Sequence, residues 1–258
     1  MTLNGKVAIV TGASKGIGRS IARQLARDGA AVLLTARDAA ALAGVVREIE
    51  VEGGQAALCA LDLREQEAQE RLVRTAVQSF GGIDIVVNNA GATKRGNFLA
   101  LTDDEWADGF ALKFFGSVRL TRAAWPLLKE RAGSVVNIVG VGGRTPGAEF
   151  AIGGSVNAAL LSFTKALAEV GVRDGVQVNA VNPGFVRTDR LDARLRKAAQ
   201  EQGVSPAEAA DRMVKSAGVT RLGEPEDIAN LVAFIVSPQG RLLQGALIDI
   251  DGGQTKTI

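Results

Sequence analysis

The chain of 258 residues carries 30 basic and 28 acidic side chains, for a net charge of +2, and 47% of its residues are hydrophobic; a chain of this size forms one large domain that buries roughly 70–75% of its unfolded surface. No basic run is long enough for a nucleic-acid footprint. Histidine and tyrosine are both absent, which excludes any mechanism that needs an imidazole or a phenol, together with histidine-bearing metal sites, so no metal is expected.

The single cysteine, Cys59, lies in an apolar run and reads as a buried, inert thiol without a disulfide partner, in keeping with a reducing, cytoplasmic setting. No apolar run is expected to reach the length of a membrane span, and the first strand begins at Lys6 and Val7 with no room for a signal peptide before it. The expectation is a soluble, unprocessed protein whose partner is a small molecule, with neither membrane nor nucleic acid involved.

In chain order, the apolar run 7–10 predicts a strand, 11–18 a glycine turn and 17–28 an amphipathic helix. That order suits a dinucleotide pyrophosphate: Gly12, Gly16 and Gly18 let the backbone approach the phosphates, and the helix start at Ser14, Lys15 and Ile17 aims free N–H groups at them. A strand over 31–35, a helix over 38–50, a strand over 56–61, a helix over 65–80 and a strand over 83–87 follow. The second half predicts a helix over 103–131, a strand over 134–139, a helix within 149–174 and a strand over 176–181 that Pro183 and Gly184 end.

Residues 185–219 are charged, alanine-rich and longer than an ordinary connection, which suits surface helices forming a mobile lid or, equally, a rigid insertion. Glu224 and Pro225 open a last helix, and 246–250 is the last strand. Strands alternating with helices imply right-handed parallel crossovers and a sheet covered on both faces. The expected fold is a single α/β domain over 1–258, a Rossmann-type doubly wound parallel sheet of about seven strands.

The stretches 11–18, Asp62, Asn88-Asn89-Ala90-Gly91, 178–184, 223–229 and Asp251-Gly252-Gly253 together resemble the short-chain dehydrogenases/reductases over nearly the whole chain. The resemblance implies adenine contacts at Asp62 and Leu63, ribose and backbone contacts at Asn89, Ala90 and Gly91, and nicotinamide contacts around Pro183, Gly184, Val186 and Thr188. Asn89 and Thr188 also suit a turn and a helix cap. The resemblance further implies a homo-oligomer, a dimer or tetramer paired through two long helices, and the apolar run 158–163 suits a helix buried on more than one side.

Charge argues the choice of cofactor. The second strand ends Thr35-Ala36-Arg37 without the acid that would bond the ribose 2′-hydroxyl of NAD, and Arg37, helped by Lys15, suits a 2′-phosphate. NADP(H) is therefore expected over NAD(H), unless both cations are merely solvated.

At its chemical centre the pattern departs from the family. The asparagine, serine, tyrosine and lysine that the resemblance implies fall on Lys113, Gly140, Gly153 and Asn157. Hydride transfer depends heavily on positioning, and a placed general acid contributes typically ~10²–10⁴-fold, so the loss weakens the usual reaction without forbidding it. Three readings stay open: an NADP(H)-dependent oxidoreductase with a substitute acid, an NADP(H)-binding protein without turnover, and a non-redox enzyme on this scaffold.

The polar groups left near the vacated positions are Lys94, Lys113, Arg144, Glu149, Ser155 and Asn157. Lys113 and Asn157 exchange the residue types of two neighbouring helices, and burial would bring the lysine toward a useful pKa; the bland alternative is a stem packed on apolar surface with its head in water. Glu149, four residues before Gly153, is the rival donor if helical and buried. The two glycines predict a pocket roomier by about one aromatic side chain, filled by substrate, by water or by a neighbour such as Phe150 or Ile152.

Overall fold

The computed structural model describes residues 2–256. Its strands are β1 Val7–Thr11, β2 Ala31–Ala36, β3 Gln55–Ala60, β4 Ile85–Asn88, β5 Ser134–Ile138, β6 Gln177–Pro183 and β7 Leu247–Ile250. They form one parallel seven-stranded sheet in the order β3-β2-β1-β4-β5-β6-β7. The order reverses beside β1, where open sheets of this kind leave a crevice at the carboxyl ends of their strands.

Both faces are covered because successive strand residues point to opposite sides. Ala8 and Val10 pack on helices α1 (Gly16–Arg27), α2 (Ala39–Val51) and α9 (Pro225–Val236), through residues such as Ile21, Leu25, Leu42 and Val232. Ile9 faces the other way, toward Leu72 of α3 (Ala68–Phe80) and Leu120, Ala124 and Leu128 of α5 (Gly116–Glu130). Cys59 belongs to that second core and is buried. Helix α3 starts later than the sequence predicts, because the Asp62 carboxylate accepts from the Arg64 N–H at 3.0 Å and closes a turn first.

The predicted helix 103–131 is interrupted. Helix α4 (Asp103–Gly109) runs into a π-helical segment, Phe110–Phe115, before α5 resumes the regular turn. The wider turn turns Lys113 inward, and single-turn π segments of this kind concentrate at functional sites.

Helix α6 (Ala151–Asp174) corrects the expectation that no apolar stretch reaches membrane length. Residues Ala148–Asp174 are long and apolar enough to cross a bilayer, with a stretch of mean hydropathy 1.2. The apolarity serves packing: Ile152, Val156, Leu160 and Ala168 of this helix are buried in the fold.

Helices α7 (Asp189–Gln202) and α8 (Pro206–Ala217) occupy most of the 185–219 stretch. They share a small core of their own, in which Leu191, Leu195, Ala209 and Ala210 meet Leu222.

A buried polar chain fixes the helices that matter for the site. Asn88 Nδ2 donates to Thr121 Oγ1 at 3.0 Å and to Asn137 Oδ1 at 2.9 Å, and Asn137 Nδ2 donates to Thr164 Oγ1 at 2.9 Å. Thr121 lies on α5 and Thr164 on α6, so β4 and β5 hold the two helices in register through groups whose desolvation would be costly if any partner were lost.

Candidate active site

The glycine turn is held open by its surroundings. Gly12 and Gly16 have φ of +65° and +54°, values that side chains strain to adopt. A Cβ on Gly18 would overlap the Gly12 carbonyl and the Asn89 amide. Asn89 is the clamp, since its Nδ2 donates to Thr11 O at 2.9 Å and Gly12 O at 3.3 Å. Thr11 Oγ1 accepts from the N–H groups of Asn89 and Ala90, both at 2.9 Å. The local bonding allowed for Asn89 is thus what its side chain does, and it shapes the turn rather than spending itself on a loop.

No side chain caps the start of α1, so the N–H groups of the first turn remain free for an anion, and the absence of Cβ atoms at Gly12, Gly16 and Gly18 leaves the backbone itself as the contact surface. These residues fit a dinucleotide pyrophosphate. Thr188 stands at the N-cap position of α7 without capping it, and its Cγ2 lies 3.2 Å from where a Cβ of Gly16 would be. Lys15 Nζ is 3.5 Å from Asp189, so the turn and α7 approach each other.

Where the sequence leads one to expect adenine, Asp62 accepts from the Arg64 N–H and guanidinium at 3.0 and 2.8 Å, and Arg37 approaches the same carboxylate at 4.0 Å. Leu63 is buried. Pro183 ends β6, Gly184 packs closely on Asp251, and Val186 bridges to Gly223.

Lys113 and Asn157, two of the residues expected at the chemical centre, meet. Lys113 Nζ donates to Asn157 Oδ1 at 2.7 Å and to Val139 O at 2.5 Å. The lysine stem runs along Gly91, where a Cβ would stand 2.9 Å from Lys113 Cδ. Although the residue is half-buried, its ammonium is enclosed; loss of water and repulsion by the Arg190 guanidinium bring its pKa from 10.5 down to about 7. The head of Lys113 therefore does not reach solvent as a snorkelling surface lysine would.

Other expected groups stand elsewhere. Glu149 lies in a short 3₁₀ turn ahead of α6 and is exposed, so it has neither the helical placement nor the burial that the donor role was expected to need. Ser155 is exposed on α6, two residues and more than half a turn away from Asn157. Lys94 pairs with Glu105 at 3.5 Å, and Arg144 pairs with Asp249 at 3.5 Å.

The expected roomy pocket is also corrected. The Phe150 ring lies where a Cβ of Gly153 would be, and it approaches within 2.7 Å of a Cβ placed on Gly142. A close-packed interior does not keep an aromatic-sized void, and the side chain that fills this one comes from the same helix start. Sequence reasoning passed over Arg95, whose guanidinium lies 4.2 Å from the Phe150 ring centroid, and Arg190, which donates to Gly91 O at 3.0 Å.

A seven-stranded, doubly wound sheet with a glycine turn at its switch point defines a dinucleotide-binding protein of Rossmann type. Residues 12–255 match the family described as enoyl-(acyl carrier protein) reductase, and the chain belongs to the short-chain dehydrogenases/reductases. It is 37% identical over 255 residues to an uncharacterized oxidoreductase of Mycobacterium tuberculosis, covering 98% of this chain and 93% of that protein. It is 34% identical over 256 residues to the 3-oxoacyl-[acyl-carrier-protein] reductase FabG of Vibrio cholerae, covering 98% of each. Among solved structures, L-sorbose reductase from Gluconobacter frateurii, complexed with NADPH and L-sorbose, superposes with a TM-score of 0.96 at 30% identity, over 100% of this chain and 99% of that one.

Proposed function

We propose that the chain is an NADP(H)-dependent oxidoreductase that interconverts a carbonyl compound and its alcohol, with Lys113 as the proton donor. The observation that carries this reading is the enclosed Lys113 ammonium, bonded to Asn157 Oδ1 and Val139 O and poised at a pKa of about 7. When bound, the nicotinamide supplies or accepts the hydride.

In the reducing direction Lys113 gives one proton to the developing alkoxide oxygen and becomes a neutral amine. Its two remaining N–H groups still serve Asn157 and Val139, so the local hydrogen bonds are satisfied in both protonation states. In the oxidising direction the amine takes the proton of the substrate hydroxyl. A pKa close to neutrality favours both transfers.

The NADP(H) preference is supported by Arg37, whose largely exposed side chain follows β2 directly, and by NADPH in the structure of the Gluconobacter relative. Lys15 contributes less, since it pairs with Asp189. The α7–α8 hairpin, with its separate core, acts as the mobile lid. The working form is a soluble, cytoplasmic homo-oligomer; sedimentation of a stable monomer at micromolar concentration would reject that part.

The test is a panel of carbonyl compounds with NADPH, and of alcohols with NADP+, on the parent and on Lys113→Met. Turnover falling by about 10²–10⁴-fold with NADPH affinity unchanged supports the reading, and parent-level turnover in the variant overturns it. The Phe150 ring packed over Gly153 favours a second reading, NADP(H) binding without turnover. Tight cofactor binding with no turnover across the whole panel would decide for it.

A further inference from the structure

Three guanidiniums converge on the mouth of this site without a carboxylate to hold them. Arg95 stacks on Phe150 at 4.2 Å, and Arg194, one turn beyond Arg190 on α7, stacks on Phe185 at 5.4 Å. Arg190 donates to the Gly91 carbonyl. Neighbouring cations are paired, Lys94 with Glu105, Arg187 with Glu224 and Lys15 with Asp189. Among the described residues Arg95, Arg190 and Arg194 have no acid within ion-pair distance.

The three charges act on one another. Besides partial burial, Arg95 feels the repulsion of Arg194 and Arg190, which the exposed Glu149 only partly opposes, and Arg190 also repels Lys113. A guanidinium does not shed its proton near neutral pH, so the repulsion persists until an anion relieves it. Stacking on an aromatic face leaves the N–H edges of Arg95 and Arg194 free to match an oxyanion in two parallel hydrogen bonds, and Arg190, which donates to Gly91 O, keeps further N–H groups for the same anion.

We infer that the substrate carries an oxyanion, a carboxylate or a phosphate, which Arg95, Arg190 and Arg194 grip while its carbonyl reaches Lys113. The inference rests on the oxidoreductase reading above for the role of Lys113, but the anion site stands on its own geometry. Phe150 then serves as an apolar floor beneath the chain that joins the two groups.

The test separates binding from turnover. With the protein saturated by NADP+, malonate, inorganic phosphate and the neutral malonamide are titrated calorimetrically against the parent, Arg95→Gln and Arg194→Gln. Binding of malonate or phosphate, but not malonamide, weakened at least tenfold in both variants, supports the site; which of the two anions binds tighter names the substrate group. Anion binding unaltered by the variants overturns it, as does an equal loss of NADPH affinity, which would assign the arginines to the cofactor. In a second arm, levulinate is compared with methyl levulinate as substrate. A preference for the acid of tenfold or more in kcat/KM, lost in both variants, supports the inference, and a preference for the ester overturns it. If neither these compounds nor any member of the carbonyl and alcohol panel turns over while malonate binding behaves as expected, the oxidoreductase reading fails and the anion site stands.

Discussion

Lys113 Nζ lies 2.7 Å from Asn157 Oδ1, a contact between residues 44 apart in the chain. It forms because the π-helical turn at Phe110–Phe115 directs the lysine toward α6, and because the chain Thr121–Asn88–Asn137–Thr164 fixes α5 and α6 on the sheet. The acceptor Asn157 Oδ1 is neutral, so it supports the ammonium without the charge that would restore an ordinary lysine pKa.

That environment makes Lys113 a liability for stability below neutral pH. Its pKa falls from 10.5 to about 7 on folding, so between those values the unfolded chain holds a proton that the folded chain does not, and stability rises with pH across the window. Below about pH 7 the penalty is present in full. Lys113→Met removes it, and the variant is expected to melt above the parent at pH 6–7 by a few kcal/mol of stability, with the gap closing toward pH 10. Thermal melts of both proteins from pH 6 to 10 check this; a gap that does not change with pH would show that the amine is not shifted.

Asn157→Asp places a carboxylate where the amide oxygen now accepts the lysine. An opposite charge at that distance favours the ammonium and raises its pKa by about 1–3 units. The limb of the kcat profile that reports Lys113 should therefore move toward alkaline pH by at least one unit, while NADPH affinity stays put. A limb that remains near pH 7 would remove Lys113 from the titrating step.

The frame of the molecule was legible in the sequence, because near-continuous apolar strands alternating with amphipathic helices admit few arrangements. The glycine turn was legible for the same reason that it works: Gly12 and Gly16 hold φ values that side chains strain to adopt, and Gly18 sits where a side chain would clash. The π-helical turn was not, since one extra residue per turn over Phe110–Phe115 barely disturbs a helical pattern. Nor was the position of the Phe150 ring, which depends on how the 3₁₀ turn Ala148–Phe150 enters α6. The polarity of Glu149 marked it as a candidate donor, and only the fold shows that this turn leaves it in water.

Phe150 and Gly153 form a pair that substitution can resolve. An alanine methyl at Gly153 overlaps the Phe150 ring, and overpacking of this kind costs about 1–3 kcal/mol, against a helix-propensity gain of up to about 1 kcal/mol. Gly153→Ala is expected to destabilise the parent but to be neutral or stabilising in a Phe150→Ala background. Chemical denaturation of the four proteins gives the coupling directly, with about 0.5–3 kcal/mol expected for residues in contact. Strictly additive effects would mean that the ring does not occupy that space in solution.

On the proposed reading, Arg37 sets the preference for NADP(H) over NAD(H). Its side chain is 71% exposed and only loosely associated with Asp62, at 4.0 Å, so little has to be broken before it turns to a 2′-phosphate. A charge-assisted hydrogen bond contributes about 1.5–3 kcal/mol, and solvent screening at this exposed position places the effect toward the lower end. Arg37→Ala should accordingly weaken NADPH binding about tenfold and leave NADH nearly unchanged. Arg37→Asp should go further and invert the preference, since its carboxylate repels the phosphate and accepts from the ribose 2′-hydroxyl. Fluorescence titrations of NADPH and NADH against the three proteins, repeated at high salt, measure both effects; added salt should weaken NADPH binding to the parent more than to Arg37→Ala. Equal or tighter binding of NADH by the parent would remove Arg37 from cofactor selection.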